Sequence, residues 1–236
     1  MNQEPMSHKA NKNDQDKRKD RRGGFYFKDN NSYVSVTTVP KIIDKPAIRY
    51  WYGREIYLAM VVNPYLNEQE AMAVPYKVSD KAKDRGSTIH SLVEAYKKSG
   101  AVIETLPSHL IGYAKAFYSW INSNEINIKD SEKTVFNEDY MYAGTLDLLA
   151  DVNGIEYLID IKTGKDIYPE AILQLSAYNE ALGGKRKLGV LLLKEDGGYK
   201  FETVEPDFES FLHCKALWEW ANKDLILKIG YKGGKK

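Results

Sequence analysis

"YAGTLDLLADVNGIEYLIDIKTG", Tyr142–Gly164, holds strand-forming runs on both sides of Asn153-Gly154. Asn-Gly between such runs signals a type I′ hairpin, because both central residues tolerate positive φ. A two-residue loop sets Val152 opposite Ile155, and every later pair follows from that register. One face then carries Leu146, Leu148, Ala150, Val152, Ile155, Tyr157, Ile159 and Ile161, apolar throughout. A slip by one residue would bury charges instead. The other face pairs Thr145 with Lys162, Asp147 with Asp160, Leu149 with Leu158 and Asp151 with Glu156. Water reaches Asp151 and Glu156 at the turn. Asp147 and Asp160 meet deeper in, with β-carbons about 5 Å apart, where like charges repel. Either that face is open to water, or a divalent cation bridges the two acids. The hairpin alone leaves both open.

Three further features bear on the choice. Gln174 lies in the next helical segment, on the stripe Ala171, Leu175, Tyr178, Leu182, and its amide needs a partner such as Tyr178 one turn on. Buried Gln–Tyr pairs also serve structure alone. His90 flanks the apolar stripe of "GSTIHSLVEAY", with Glu94 a turn later; a helical histidine is more often packed than a ligand. Gly144 precedes the acid-bearing strand, where a missing side chain admits close approach of another group.

With 236 residues the chain is long enough for one domain with a real core. A hydrophobic content of 43% and a charged content of 28% are those of an ordinary globular protein. The single Cys214 excludes an internal disulfide framework and any four-cysteine metal or iron–sulfur site within one chain. No apolar run spans a bilayer and the N-terminal segment has no signal-peptide core, so no membrane role and a cytoplasmic setting (bacterial, or a phage-infected host) are expected. A net charge of +1 means that any nucleic-acid contact must come from a local basic surface.

Residues 1–24, with "KRKDRR", read as a disordered polar and basic arm, 25–230 as a single domain, and 231–236 as a frayed basic tail. Strand-like "GFYFKD" and "SYVSVTTV" precede helical "PAIRYWYGREIYLAMVV", "SDKAKDRGSTIHSLVEAYKKSG" and "SHLIGYAKAFYSWINS". "TVFNEDY" and the Asn-Gly hairpin follow, then a helix over 169–182, a hairpin about Asp196-Gly197-Gly198 and a last helix. This order predicts an α/β or α+β sandwich: a central mixed sheet flanked by helices, with an N-terminal helical region. "RYWYGREIY" is expected to pack into the core through Trp51, the alternative being a stacking surface for single strands.

Together these residues resemble the PD-(D/E)xK nuclease superfamily, in its RecB-like branch. The branch's ordered motifs stand here as "GSTIH" with His90, "GTLD" with Asp147, "DIK" with Asp160 and Lys162, and "QLSAY" with Gln174 and Tyr178. Glu132 sits where many members carry an acid, and the likeness covers about Ser35 to Glu205. "SVTTVPKIIDKPAIRYWYGREI" looks like phage and bacterial stand-alone members, and residues 132–178 are similar to the mitochondrial genome-maintenance exonuclease group. The resemblance implies a restriction-endonuclease-like core and a Mg²⁺- or Mn²⁺-dependent deoxyribonuclease using one or two ions. An exonuclease leaving 5′-phosphates, in DNA repair or recombination, is expected first. A structure-specific or defence endonuclease, or a non-catalytic DNA-binding recombination partner, stands as the alternative. His90, Asp147, Asp160 and the Ile161 main-chain carbonyl are implied metal ligands, with Asp147, Asp160 and Lys162 catalytic. Lys162 would orient or deprotonate the attacking water, its pKa lowered by the cation, or stabilise the pentavalent state. Gln174, Tyr178, Thr145 and Thr163 are implied to contact DNA, single-stranded or at ends, and a recombination or replication protein is a further implied partner. One cysteine departs from the subgroup that holds an iron–sulfur cluster.

Overall fold

The computed structural model describes residues 24–102 and 105–235. Apart from Gly24, the expected N-terminal arm lies outside the described residues. Seven strands make one mixed sheet: β1 (Phe25–Lys28), β2 (Asn31–Ser35), β3 (Ile126–Asn137), β4 (Tyr142–Val152), β5 (Ile155–Lys162), β6 (Lys187–Leu193) and β7 (Tyr199–Val204). The helices are α1 (Pro46–Val62), α2 (Glu68–Ser99), α3 (Ile111–Ser123), α4 (Pro169–Ala181), α5 (Phe208–Ala221) and α6 (Lys223–Ile229). The sheet runs β1-β2-β4-β5-β6-β7, with β3 on the other edge of β4. Helices on both faces bear out the expected α/β architecture.

Asn153 and Gly154 take φ of 52° and 79°, as a type I′ turn requires, and Val152 faces Ile155. The register holds through Leu149 with Leu158 and Leu148 with Ile159. There the regular ladder stops, one pair short of Asp147 and Asp160.

The reason lies on both sides of β4. On one side, Glu132 sits at φ 51°, in the left-handed region, and β3–β4 pairing skips the Glu132/Asp147 step. On the other side β4 changes partner. Tyr142 and Ala143 pair in parallel with Val34 and Ser35 of β2, and Leu148–Val152 pair with β5. Residues 144–147 lie in the fork between those two strands. The alternation changes across it. Leu146 packs with Tyr142, Leu175 and Phe211 on the α4–α5 side, whereas Leu148 packs with Ile89, Phe117 and Ile161 on the α2–α3 side. The single apolar face expected to join Leu146 to Leu148 and Ile161 is therefore split at Asp147.

α2 is capped by Asn67, which exchanges hydrogen bonds with Glu70, and ends at Gly100 with φ 65°. Its stripe Ile89, Leu92, Val93 is buried, as its spacing predicts. Two expectations fail. α1 has no buried residue, so Trp51 does not carry it into the core. The tail is not frayed through its described part: Tyr231 is buried against Phe25, and the Lys235 N–H donates to the Asp139 carbonyl at 2.7 Å.

Candidate active site

At the fork the backbone offers an N–H without its regular strand partner, and a side chain takes it. Ile161 N–H donates to Asp147 Oδ2 at 2.8 Å. The other Asp147 oxygen, Oδ1, lies 3.5 Å from His90 Nδ1. His90 Nδ1 donates to Glu132 Oε1 at 3.0 Å. One donor atom from each of His90, Glu132 and Asp147 lies within 4.8 Å of the others, close enough to share a cation. Three elements meet here: α2 brings the imidazole, the left-handed kink of β3 brings Glu132, and the fork of β4 brings Asp147.

Asp160 is only 4% exposed and stands outside that triad. Lys162 Nζ lies 2.8 Å from Asp160 Oδ2. Its directed hydrogen bond goes to Oδ1, also at 2.8 Å, and buried Oδ2 receives none. The two acids still sense each other. Burial, then the Asp160 charge, pushes the Asp147 carboxyl up to about 7 against the pull of His90 and Lys162. Burial pulls His90 down, but the Glu132 hydrogen bond and the charges of Asp147, Glu132 and Asp160 outweigh it and lift the imidazole to about 9. Burial likewise works against Lys162, yet Asp160 and Asp147 hold its ammonium above the ordinary value. Without a cation Lys162 is thus a charged donor to Asp160; the lowering expected of it was to come from a bound cation.

The imidazole nitrogen and two carboxylates suit a divalent cation, and Asp160 Oδ2, which receives no directed hydrogen bond, is a further oxygen of the same chemistry. The residues present fit the implied group. Of the four expected ligands, His90 and Asp147 are in the triad, Asp160 is held beside it by Lys162, and Ile161 contributes its N–H to Asp147. Glu132 belongs to the triad on equal terms. Sequence marked it only as an acid at a family position, since nothing local announces a positive φ within a strand.

The residues expected to contact DNA divide. Thr163 accepts from Arg85 twice, its carbonyl from Nη2 at 3.1 Å and its Oγ1 from Nε at 3.4 Å. That ties the end of β5 to the His90 helix. Tyr178 packs on Gly144, where an added Cβ would fall 2.6 Å from the ring, so the close approach expected at this glycine is made by the tyrosine. Thr145 Oγ1 is 3.2 Å from Thr134 Oγ1 and 3.3 Å from the Tyr26 hydroxyl. Gln174 is half-buried on α4 and makes no side-chain hydrogen bond among the described residues. A cleft of about 430 Å³ opens beside the triad, lined by Lys83, Gly86, Ser87, His90, Ser91, Glu94 and Glu132.

No protein-family model matches this chain, and no curated protein matches it. Its likenesses are structural. An alkaline exonuclease, LHK-Exo, from Laribacter hongkongensis aligns over 84% of this chain and 90% of its own at 15% identity and a TM-score of 0.45. The same exonuclease in complex with dAMP aligns over 82% and 93% at 15% identity, TM-score 0.37. A protein designated SSO0001 aligns over 78% and 72% at 15% identity, TM-score 0.36. No helix among the described residues is long and apolar enough to cross a membrane.

Proposed function

We propose that this chain is a divalent-metal-dependent deoxyribonuclease that removes nucleotides from DNA ends and leaves 5′-phosphates. The observation that carries the proposal is the His90–Glu132–Asp147 triad beside the Asp160–Lys162 pair, at a fork in the sheet that opens to a cleft. The order of those residues also follows the PD-(D/E)xK pattern. A structural ion pair is a weaker explanation: three elements converge on a carboxylate whose pKa is raised by burial first, and then by the Asp160 charge, a cost to the fold without a cation.

His90, Glu132 and Asp147 would hold the cation, with Asp160 beside them as a further carboxylate. A bound Mg²⁺ or Mn²⁺ would supply a water acidic enough to attack and would neutralise phosphate charge. Lys162, charged and half-buried beside Asp160, would donate to the attacking water or to the phosphate oxygens as negative charge develops. The small residues Gly86, Ser87 and Ser91 line the cleft beside His90 and would leave room there for a DNA backbone.

The test is digestion of 5′- and 3′-labelled linear DNA, single- and double-stranded, alongside closed circles, with Mg²⁺ or Mn²⁺. Labelled mononucleotides from linear DNA and intact circles are expected. Asp160→Ala and Lys162→Ala should each lower cleavage at least about 1,000-fold with an unchanged circular-dichroism spectrum. Full activity in both variants, or none in the wild type with either metal, would sink the proposal; cut circles would replace the exonuclease with an endonuclease.

A further inference from the structure

α1 is a 17-residue helix with twelve apolar residues besides Pro46, and none is buried. Val62 is 85% exposed, Tyr50 75%, and Tyr65 just beyond the helix 94%. Its packing is on the N-terminal half of α2, where the Tyr52 and Tyr76 rings meet at 5.3 Å and where Met72, Tyr76 and Val78 are themselves exposed. A helix apolar all round is ordinarily covered, and a continuous apolar surface of this extent marks an interface.

We propose that the outer face of the α1–α2 hairpin is the contact surface between two copies of this chain. On this hairpin Tyr50, Tyr57, Val61, Val62, Tyr65 and Tyr76 are each more than half exposed, a cluster of large side chains of the kind that forms the centre of a standard interface of about 800 Å² per partner. Two such hairpins meeting about a two-fold axis close a four-helix bundle, which buries on each the surface that one hairpin leaves open. Residues 1–23 cannot substitute, since Met1, Pro5, Met6 and Ala10 are their only apolar side chains. Charge here is too nearly balanced to single out a polyanion. Between Lys45 and Arg85 the cations Lys45, Arg49, Arg54, Lys77, Lys81, Lys83 and Arg85 face the acids Glu55, Glu68, Glu70, Asp80 and Asp84. Four of those cations are already in ion pairs: Lys45 with Glu170, Arg49 with Asp44, Arg54 with Glu55 and Lys83 with Asp80. A whole-chain charge of +1 also does little to keep copies apart.

Sedimentation of the full chain at tens of micromolar tests this without reference to nuclease activity. The wild type is expected at the mass of two chains. Tyr57→Glu/Val61→Glu should halve that mass with an unchanged circular-dichroism spectrum. Trp220→Glu, placed in the separate apolar groove beside α5 and α6, should stay at two chains. A wild type that sediments as one chain overturns the proposal. So does a dimer that survives Tyr57→Glu/Val61→Glu, or one that only Trp220→Glu dissociates. A double variant that keeps its mass but loses DNA binding would assign the surface to DNA instead.

Discussion

His90, protonated between Glu132 and Asp147, supplies positive charge to the two carboxylates in the metal-free protein. Its folded pKa near 9 lies above the unfolded 6.5, so the stability it adds is full below about pH 6.5 and is lost as pH rises through 9. Asp147, raised to about 7 from 3.8, acts in the same direction: the fold prefers its protonated form and loses stability between about pH 4 and 7. In EDTA, the urea midpoint should therefore fall from pH 5.5 to pH 9. Asp147→Asn removes the unfavourable charge and keeps an acceptor for Ile161 N–H, so at pH 8 without metal its midpoint should exceed the wild type's. A lower midpoint for the Asn variant at pH 8 would show that the acid pair costs the fold nothing. Saturating Mn²⁺ should reverse the order. At this scale the sequence was informative for a physical reason. Asp147 and Asp160 stood out because carboxylates rarely interrupt apolar strands without a partner. Glu132 did not, because its place depends on a backbone kink and on a helix that lies 42 residues away in the chain.

Among the elements, the Asn153-Gly154 hairpin was legible from the turn as far as Leu148 and Ile159, since turn chemistry and alternation both act locally. The fork was not. It arises where β2 reaches across to β4, and the Val34–Tyr142 pairing leaves no trace in either strand's own pattern. The apolar runs of β4 therefore suggested an unbroken face where the structure divides Leu146 from Leu148. α1 misled for a related reason: an apolar helix says that it will be covered but not by what. Gly144 is the element-scale hinge of the site, because Tyr178 of α4 rests directly on it. Gly144→Ala should cost about 1–3 kcal/mol through overpacking, measured by denaturant unfolding. Tyr178→Leu in the same chain should recover part of that loss, whereas a purely additive pair of losses would place the strain elsewhere.

At the scale of the molecule, the C-terminal segment closes the far side of the sheet. Tyr231 lies against Phe25, donates to Glu219 at 2.8 Å and has Lys215 Nζ 5.7 Å from its ring centroid. Tyr231→Ala should lower unfolding stability by about 3 kcal/mol, and an unchanged midpoint would show the segment to be merely apposed. The tail looked frayed in sequence because glycines and lysines announce no packing, and one tyrosine is too little pattern. The fork has a kinetic corollary. β3, β4 and β5 form a local meander, whereas β2 joins β4 across more than a hundred residues of chain. Loop closure of that length is slow, so the meander can form while β2 is still unattached. The gap holding Asp147 then gains its second wall only when the chain's earliest strands dock, which makes a competent centre one of the last things each newly made molecule acquires.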